Sequence, residues 1–163
     1  MTRRVVWRGE HLTAVDDGGW EYVERRGAVA AVAILAIEDG HVLLVEQARV
    51  PAGGRVLELP AGLVDEGEMA EAAAARELEE ETGWRAARLE EMGSFFSSPG
   101  LTSERFIYVR ASGLTRGGAG GGVDGEDIAV HRVPLAEMAA FVAAKRDEGV
   151  GIDAKLLVLL GMV

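Results

Sequence analysis

Two apolar runs meeting at Asp39-Gly40 constrain this chain more than any other feature. The stretch AVAAVAILAIEDGHVLLVEQARV, residues 28–50, puts β-rich aliphatic segments on either side of a two-residue turn signal. Asp-Gly supplies the backbone conformation that a tight hairpin needs, so the run predicts a β-hairpin. Around it the chain reads as follows. Residues 4–25 are short strands broken by DDGG at 16–19, and 56–62 is a short strand ending in a Pro-Ala-Gly turn. Residues 68–82 are rich in Ala, Glu and Leu and predict a helix, with Ala72, Ala75, Leu78 and Glu79 at helical spacing on a small, tightly packed side. Strands follow at 85–96 and 104–111, separated by SSPGLTSE. Residues 113–126, GLTRGGAGGGVDGE, read as a flexible loop. A strand at 128–133, a helix at 135–147 carrying Leu135, Met138, Phe141 and Val142 at helical spacing, and an apolar helix at about 152–162 complete the order. No internal repeat is visible. This order predicts one mixed α/β sandwich spanning residues 1–163.

Composition narrows the function. The chain has 163 residues, 48% of them hydrophobic, and a formal net charge of −10. Between Gly62 and Trp84 eight acids (Asp65, Glu66, Glu68, Glu71, Glu77, Glu79, Glu80, Glu81) face one base, Arg76, so −7 of the −10 falls in one short segment. An acidic protein lacks the basic footprint that nucleic-acid binding needs. There is no cysteine, which excludes disulfides and thiolate metal sites. His11, His41 and His131 are scattered and form no paired zinc motif. No apolar run is long enough to predict a membrane span. MTRRVVWRGEHLT has no apolar leader core, and a cytoplasmic location is expected.

The acids are awkwardly placed. In RELEEETG, residues 76–83, Gly83 reads as a helix C-cap, so the glutamates crowd the end of the helix that already carries partial negative charge. Glu77 is three and four residues from Glu80 and Glu81, which puts the three on one face at a cost of roughly 0.2–0.5 kcal/mol per like-charge pair. A solvated acidic face tolerates that cost. A bound hard cation, which prefers about six oxygen ligands, reverses its sign.

The full stretch GLVDEGEMAEAAAARELEEETGW, residues 62–84, resembles the Nudix box at every specified position. The resemblance extends to the order of elements over most of the chain. It implies an α/β/α sandwich with a mixed sheet, extended here by N-terminal antiparallel strands at 1–27 ahead of a core at 28–163. It also implies two or three magnesium ions, with manganese as a substitute. The metal set it implies is Glu77, Glu80, Glu81, the backbone carbonyl of Ala61 and a loop acid, with Arg76 orienting the cluster. Glu68 would start the helix or hold the loop.

Four further stretches resemble ADP-ribose pyrophosphatases. In WEYVERR, residues 20–26, the resemblance makes Trp20 and Glu21 adenine contacts and Arg25 a phosphate or ribose contact. VEQAR at 45–49 supplies Arg49 for the substrate phosphates, with Arg55 the weaker candidate. SSPGLTSE carries Pro99 at the offset that marks this group, and Glu104 as a substrate contact. VDGEDIAVHRV, residues 123–133, carries the loop acid, Glu126 or Asp124, which binds a further metal or takes a proton from the attacking water. Two departures bear on substrate: Ala48 stands where an aromatic is usual, and the glycine-rich loop is unusual in composition. The expected reaction is metal-dependent cleavage of a nucleoside diphosphate sugar, ADP-ribose to AMP and ribose 5-phosphate. Other nucleoside diphosphate derivatives (GDP-mannose, dinucleoside polyphosphates, NADH) are the alternative, and a non-catalytic Nudix-fold module is the remote one. The N-terminal strands are expected to pair with a second subunit in a homodimer.

Overall fold

The structure is a computed structural model that describes residues 2–123 and 125–161. The predicted hairpin forms from β4 (Ala28–Glu38) and β5 (His41–Arg49), with Asp39 at φ 50° and Gly40 at φ 70° in the turn. The chain before it makes β1 (Arg4–Arg8), β2 (Leu12–Asp17) and β3 (Trp20–Arg25). After it come β6 (Gly54–Glu58), β7 (Ala61–Asp65), α1 (Ala70–Thr82), β8 (Trp84–Phe96) and β9 (Arg105–Arg116). The chain ends with β10 (Ala129–Pro134), α2 (Met138–Asp147), β11 (Gly151–Ile152) and α3 (Ala154–Leu160).

The main sheet is mixed. Its path is β11-β6-β5-β4-β9-β8, with β10 also on β5 and β7 also on β4. β4–β9 and β6–β11 are parallel, and the other pairings are antiparallel. Strand alternation divides the core between two faces. Val32, Ile34, Ala36 and Leu43 pack with Ala73, Ala74 and Leu78 of α1. Ala33, Leu35, Val42 and Leu44 pack with Met138 of α2 and Leu156 of α3. Helices on both sides of a mixed sheet make the expected α/β/α sandwich.

Three local expectations change. Ala61 and Gly62 do not form a turn but open β7, with Ala61 opposite Ala33 and Gly62 opposite Val32. The turn falls at Leu59-Pro60, where the Pro60 carbonyl accepts from Ile34 N at 2.8 Å. The buried stripe of α1 is Ala70, Ala73, Ala74, Leu78 and Glu81, whereas Ala72 and Ala75 are exposed. Composition could not separate these alternatives, because alanines occupy both sides of the helix. The glycine-rich run is not a free loop. β9 reaches Arg116, and the following glycines lie against the end of α1.

The N-terminal strands find partners within the chain. β1, β2 and β3 form their own three-stranded antiparallel sheet. β3 is tied to the main body where Val23 N donates to Leu101 O at 2.9 Å and Ser103 N donates to Val23 O at 3.2 Å. Val6, Trp7 and Trp20 remain exposed on this small sheet.

Candidate active site

α1 delivers two carboxylates onto two consecutive residues of β7. Glu81 lies three residues beyond Leu78 on the buried stripe, so the periodicity that buries the leucine buries the glutamate, leaving it 5% exposed. Its Oε2 accepts from Ala61 N at 2.9 Å and its Oε1 from Gln47 Nε2 at 3.2 Å. One turn earlier, Glu77 lies against Gly62 so closely that a Cβ on Gly62 would stand 1.9 Å from Glu77 Cδ. The first residue of the box is glycine because a carboxylate occupies the space of its side chain.

Arg76 holds the outer edge. Its Nη1 is 2.6 Å from Glu77 Oε1 and 3.5 Å from Glu80 Oε2. Its Nη2 reaches Glu68 at 3.2 Å and the Leu63 carbonyl at 3.0 Å. Glu68 also accepts from Asp65 N at 3.1 Å, so it fixes the loop entering the helix. Glu79 turns away and pairs with Arg85.

The electrostatics follow from this packing. Burial pushes the Glu81 carboxyl up to about 8, with the Glu77 charge adding to the effect and the Ala61 N–H and Gln47 opposing it. Burial also raises Glu77 above the ordinary carboxylate range against the pull of Arg76, and the charges of Glu80 and Glu126 add to the rise. Among the described residues no three acidic or imidazole groups stand together as a ready-made cation cage. Like charges separate when only Arg76, Gln47 and backbone N–H groups compensate them. The donors are nevertheless all oxygens, and Glu81 among them is buried, which is the chemistry of a hard divalent cation.

Two residues that sequence reasoning passed over complete the cluster. Glu58 is buried and binds Arg49, with Arg49 Nη2 at 2.6 Å and Nε at 3.0 Å from Glu58 Oε2. Gln47 Nε2 lies 3.3 Å from Glu58 and 3.2 Å from Glu81, so it bridges the two acids. Their signal lay in the sequence as two polar positions within otherwise apolar strand runs. Arg55 instead pairs with Glu46 at 2.8 Å and Asp127 at 2.9 Å, away from this cluster.

A cleft of about 390 Å³ opens here, lined by Arg25, Arg49, Glu58, Ala61, Glu104 and Lys155. Arg25 and Glu104, both expected to touch substrate, are 2.5 Å apart and pair with each other. Lys155 was not foreseen and arrives on α3. A second cleft, of about 430 Å³, lies between β3 and the 97–103 loop, with Trp20, Tyr22, Phe96 and Pro99 among its walls. Trp20 and Pro99, 79 positions apart in the chain, thus meet in one cleft. Glu21 alternates to the opposite face of β3 from Trp20 and lines neither cleft. Glu126 is on the loop after β9, its Oε2 3.1 Å from Val123 N. Asp124, the alternative loop acid, lies outside the described residues.

A mixed sheet between helices thus carries a glutamate-rich helix docked on β7 beside a cleft lined by Arg25, Arg49 and Lys155 together with Glu58 and Glu104. The comparisons give the family. Residues 25–157 match the NUDIX domain, and the chain belongs to the Nudix family. It is 35% identical over 127 residues to a methanol dehydrogenase activator of Bacillus methanolicus, covering 77% of this chain and 68% of that protein. It is 42% identical over 84 residues to the ADP-ribose pyrophosphatase of Bacillus subtilis strain 168, covering 52% of this chain and 44% of that enzyme. It is 34% identical over 143 residues to the GDP-mannose pyrophosphatase of Cronobacter sakazakii, covering 83% and 72%. A solved ADP compounds hydrolase superposes with a TM-score of 0.71 at 29% identity, covering 88% of this chain and 81% of that one. Against several curated relatives the match spans about half of their length. Nudix enzymes generally use divalent metal ions. No helix among the described residues is long and apolar enough to cross a membrane.

Proposed function

We propose that this protein hydrolyses the pyrophosphate of a nucleoside diphosphate sugar, with ADP-ribose the leading substrate and AMP and ribose 5-phosphate the products. The observation that carries the reading is the seating of Glu77 on Gly62 and of Glu81 on Ala61 N, at the wall of a cleft that also holds Arg25, Arg49 and Lys155. The similarity to ADP-ribose and ADP-sugar pyrophosphatases supports the substrate class.

Glu77, Glu80, Glu81, Glu126 and the Ala61 carbonyl would hold the metal, two or three magnesium ions or manganese in their place. When bound, the metal neutralises phosphate charge and lowers the pKa of water. The chain's residues do the rest. Arg49, held by Glu58, presents its guanidinium to the pyrophosphate oxygens, and Arg25 and Lys155 flank it. Glu126 or a box glutamate takes the proton from the water that attacks one phosphorus, and the bridging oxygen leaves with the other phosphate. Arg76 keeps Glu77 and Glu80 aligned. Trp20, with Pro99 across the cleft, offers its face to the adenine.

A second reading, GDP-mannose or another nucleoside diphosphate derivative, is favoured by the GDP-mannose pyrophosphatases among the relatives and by Ala48, which leaves an aromatic contact open. The N-terminal segment, residues 1–27, joins two copies through its exposed Val6 and Trp7, and the enzyme works in the cytoplasm on small molecules. The test is product chromatography with ADP-ribose, GDP-mannose, NADH and diadenosine polyphosphates offered separately, with and without magnesium. Metal-dependent AMP from ADP-ribose, faster than any other turnover, is the expected result. Faster cleavage of another compound keeps the chemistry and removes the adenine assignment.

A further inference from the structure

The glycine-rich segment after β9 is bonded to the end of α1 carbonyl by carbonyl. A helix leaves its last four carbonyls without intrahelical partners. Here Gly83 N takes Glu79 O at 2.8 Å, as an ordinary cap does. Gly122 N then donates to Glu80 O at 3.0 Å, Gly121 N to Glu81 O at 2.8 Å, and Gly117 N and Gly118 N to Gly83 O at 2.8 and 3.0 Å. The approach leaves no room for side chains. A Cβ on Gly120 would stand 2.3 Å from Thr82 C and 2.6 Å from Gly83 N, and Gly120 has φ 69°. A Cβ on Gly83 would stand 2.5 Å from Gly118 O.

Two of the bonded carbonyls, those of Glu80 and Glu81, belong to residues of the acidic cluster. Four residues beyond Gly122, Glu126 folds back so that a Cβ on Gly122 would meet its Cβ and Oε2, both at 2.6 Å. Ile128 N donates to Gly121 O at 3.4 Å, and Asp127 is held by Arg55 at 2.9 Å, so the segment is fixed on both sides of Glu126.

We propose that residues 117–122 form a fixed backbone clamp on the C-terminal end of α1 that sets the position of Glu126 relative to Glu80 and Glu81, with Gly120 as its positioning residue. The segment is thus a spacer of defined length between two parts of the catalytic set, not a hinge. An ordinary cap would need only the carbonyls satisfied. The clamp also ties the backbone of Glu80 and Glu81 to the segment that carries Glu126. The clamp stands on the geometry, and its catalytic consequence rests on the hydrolase reading given above.

The test compares full-length wild type with Gly120→Ala and, as control, Gly118→Ala, where an added Cβ meets nothing within 4 Å. Amide exchange at Gly121 and Gly122 reads the clamp without substrate. ADP-ribose turnover with magnesium reads its consequence. Expected are slow exchange at both glycines in wild type and in Gly118→Ala, and fast exchange in Gly120→Ala. Also expected is a kcat lower by about 100-fold in Gly120→Ala at a KM within about twofold. In a Glu126→Gln background Gly120→Ala should lower kcat no further. Should Gly120→Ala not fold, Gly122→Ala, whose Cβ would meet Glu126 at 2.6 Å and Ile128 at 3.1 Å, takes its place in the kinetic comparison. Three results would overturn the proposal: exchange at Gly121 and Gly122 at unstructured rates in wild type, an unchanged kcat in Gly120→Ala, or an equal further loss in the Glu126→Gln background. A protected but inactive wild type removes the hydrolase reading and leaves the clamp standing.

Discussion

The carboxyl of Glu77 occupies the place where a side chain on Gly62 would begin, 1.9 Å from the Cβ position. Two segments fifteen residues apart are thereby interlocked, and α1 cannot approach β7 as it does with any larger residue at 62. Gly62 has no positive φ, so alanine there meets no backbone strain and the whole cost is displacement of Glu77. We expect Gly62→Ala to fold and to lose about 100-fold in kcat/KM, the scale of a 1 Å misplacement. Near-wild-type turnover would place Glu77 outside the chemistry.

Glu81 sets a pH dependence of stability. Its carboxyl is raised to about 8 in the fold from an ordinary 4.5, chiefly by burial and then by Glu77. The folded state therefore holds a proton that the unfolded state has released. This contribution is fully present below about pH 4.5 and is lost as pH rises to about 8. It is worth on the order of 5 kcal/mol between those limits. Melted without metal from pH 5 to 8.5, Glu81→Gln should lose this decline, and assayed with magnesium it should turn over at least about 100-fold more slowly.

Magnesium and protons compete for the same carboxylates. Saturating magnesium should raise the melting temperature of wild type more at pH 8 than at pH 5, because Glu81 must be ionised to bind. Equal shifts at the two pH values would argue that the ion binds elsewhere.

Trp20 is 67% exposed, so Trp20→Ala should leave the melting temperature unchanged. Loss of a stacking partner costs roughly 1–3 kcal/mol per base. That corresponds to an increase in the ADP-ribose KM of about 5- to 150-fold, with kcat little altered. An unaltered KM would move the base out of the Trp20–Pro99 cleft.

Arg49 and Glu58 make a part-buried pair at 2.6 Å. Arg49→Ala strands the Glu58 carboxylate and should destabilise the fold by roughly 1–3 kcal/mol as well as raising KM. Glu58→Gln in the same background should restore much of the stability without restoring KM. Calorimetry and kinetics on the three variants separate the two roles.

The sheet, the hairpin and the helix order were legible because apolar period and turn chemistry agree at Asp39-Gly40, at Gly83 and along β9. The box glutamates were legible from spacing. What the spacing did not carry was direction. Glu77, Glu80 and Glu81 share a helical face on a wheel, yet Glu81 follows Leu78 inward while Glu80 stays on the arginine side. A wheel places no strand beside the helix, and β7 is what separates them. Glu58 and Gln47 stayed hidden because their partners lie in other segments, Arg49 on β5 and Glu81 on α1. The glycine-rich run was misjudged for a related reason. Many glycines permit mobility, but they also permit contact between backbones, and only the neighbouring helix end decides which.

That contact has a consequence for change in this chain. Residues 117–122 cannot be lengthened or trimmed, nor Gly120 or Gly122 given a side chain, without moving either the end of α1 or Glu126. A surface stretch that composition would nominate as the place to graft a tag, a cleavage site or an insertion is therefore among the least permissive in the molecule.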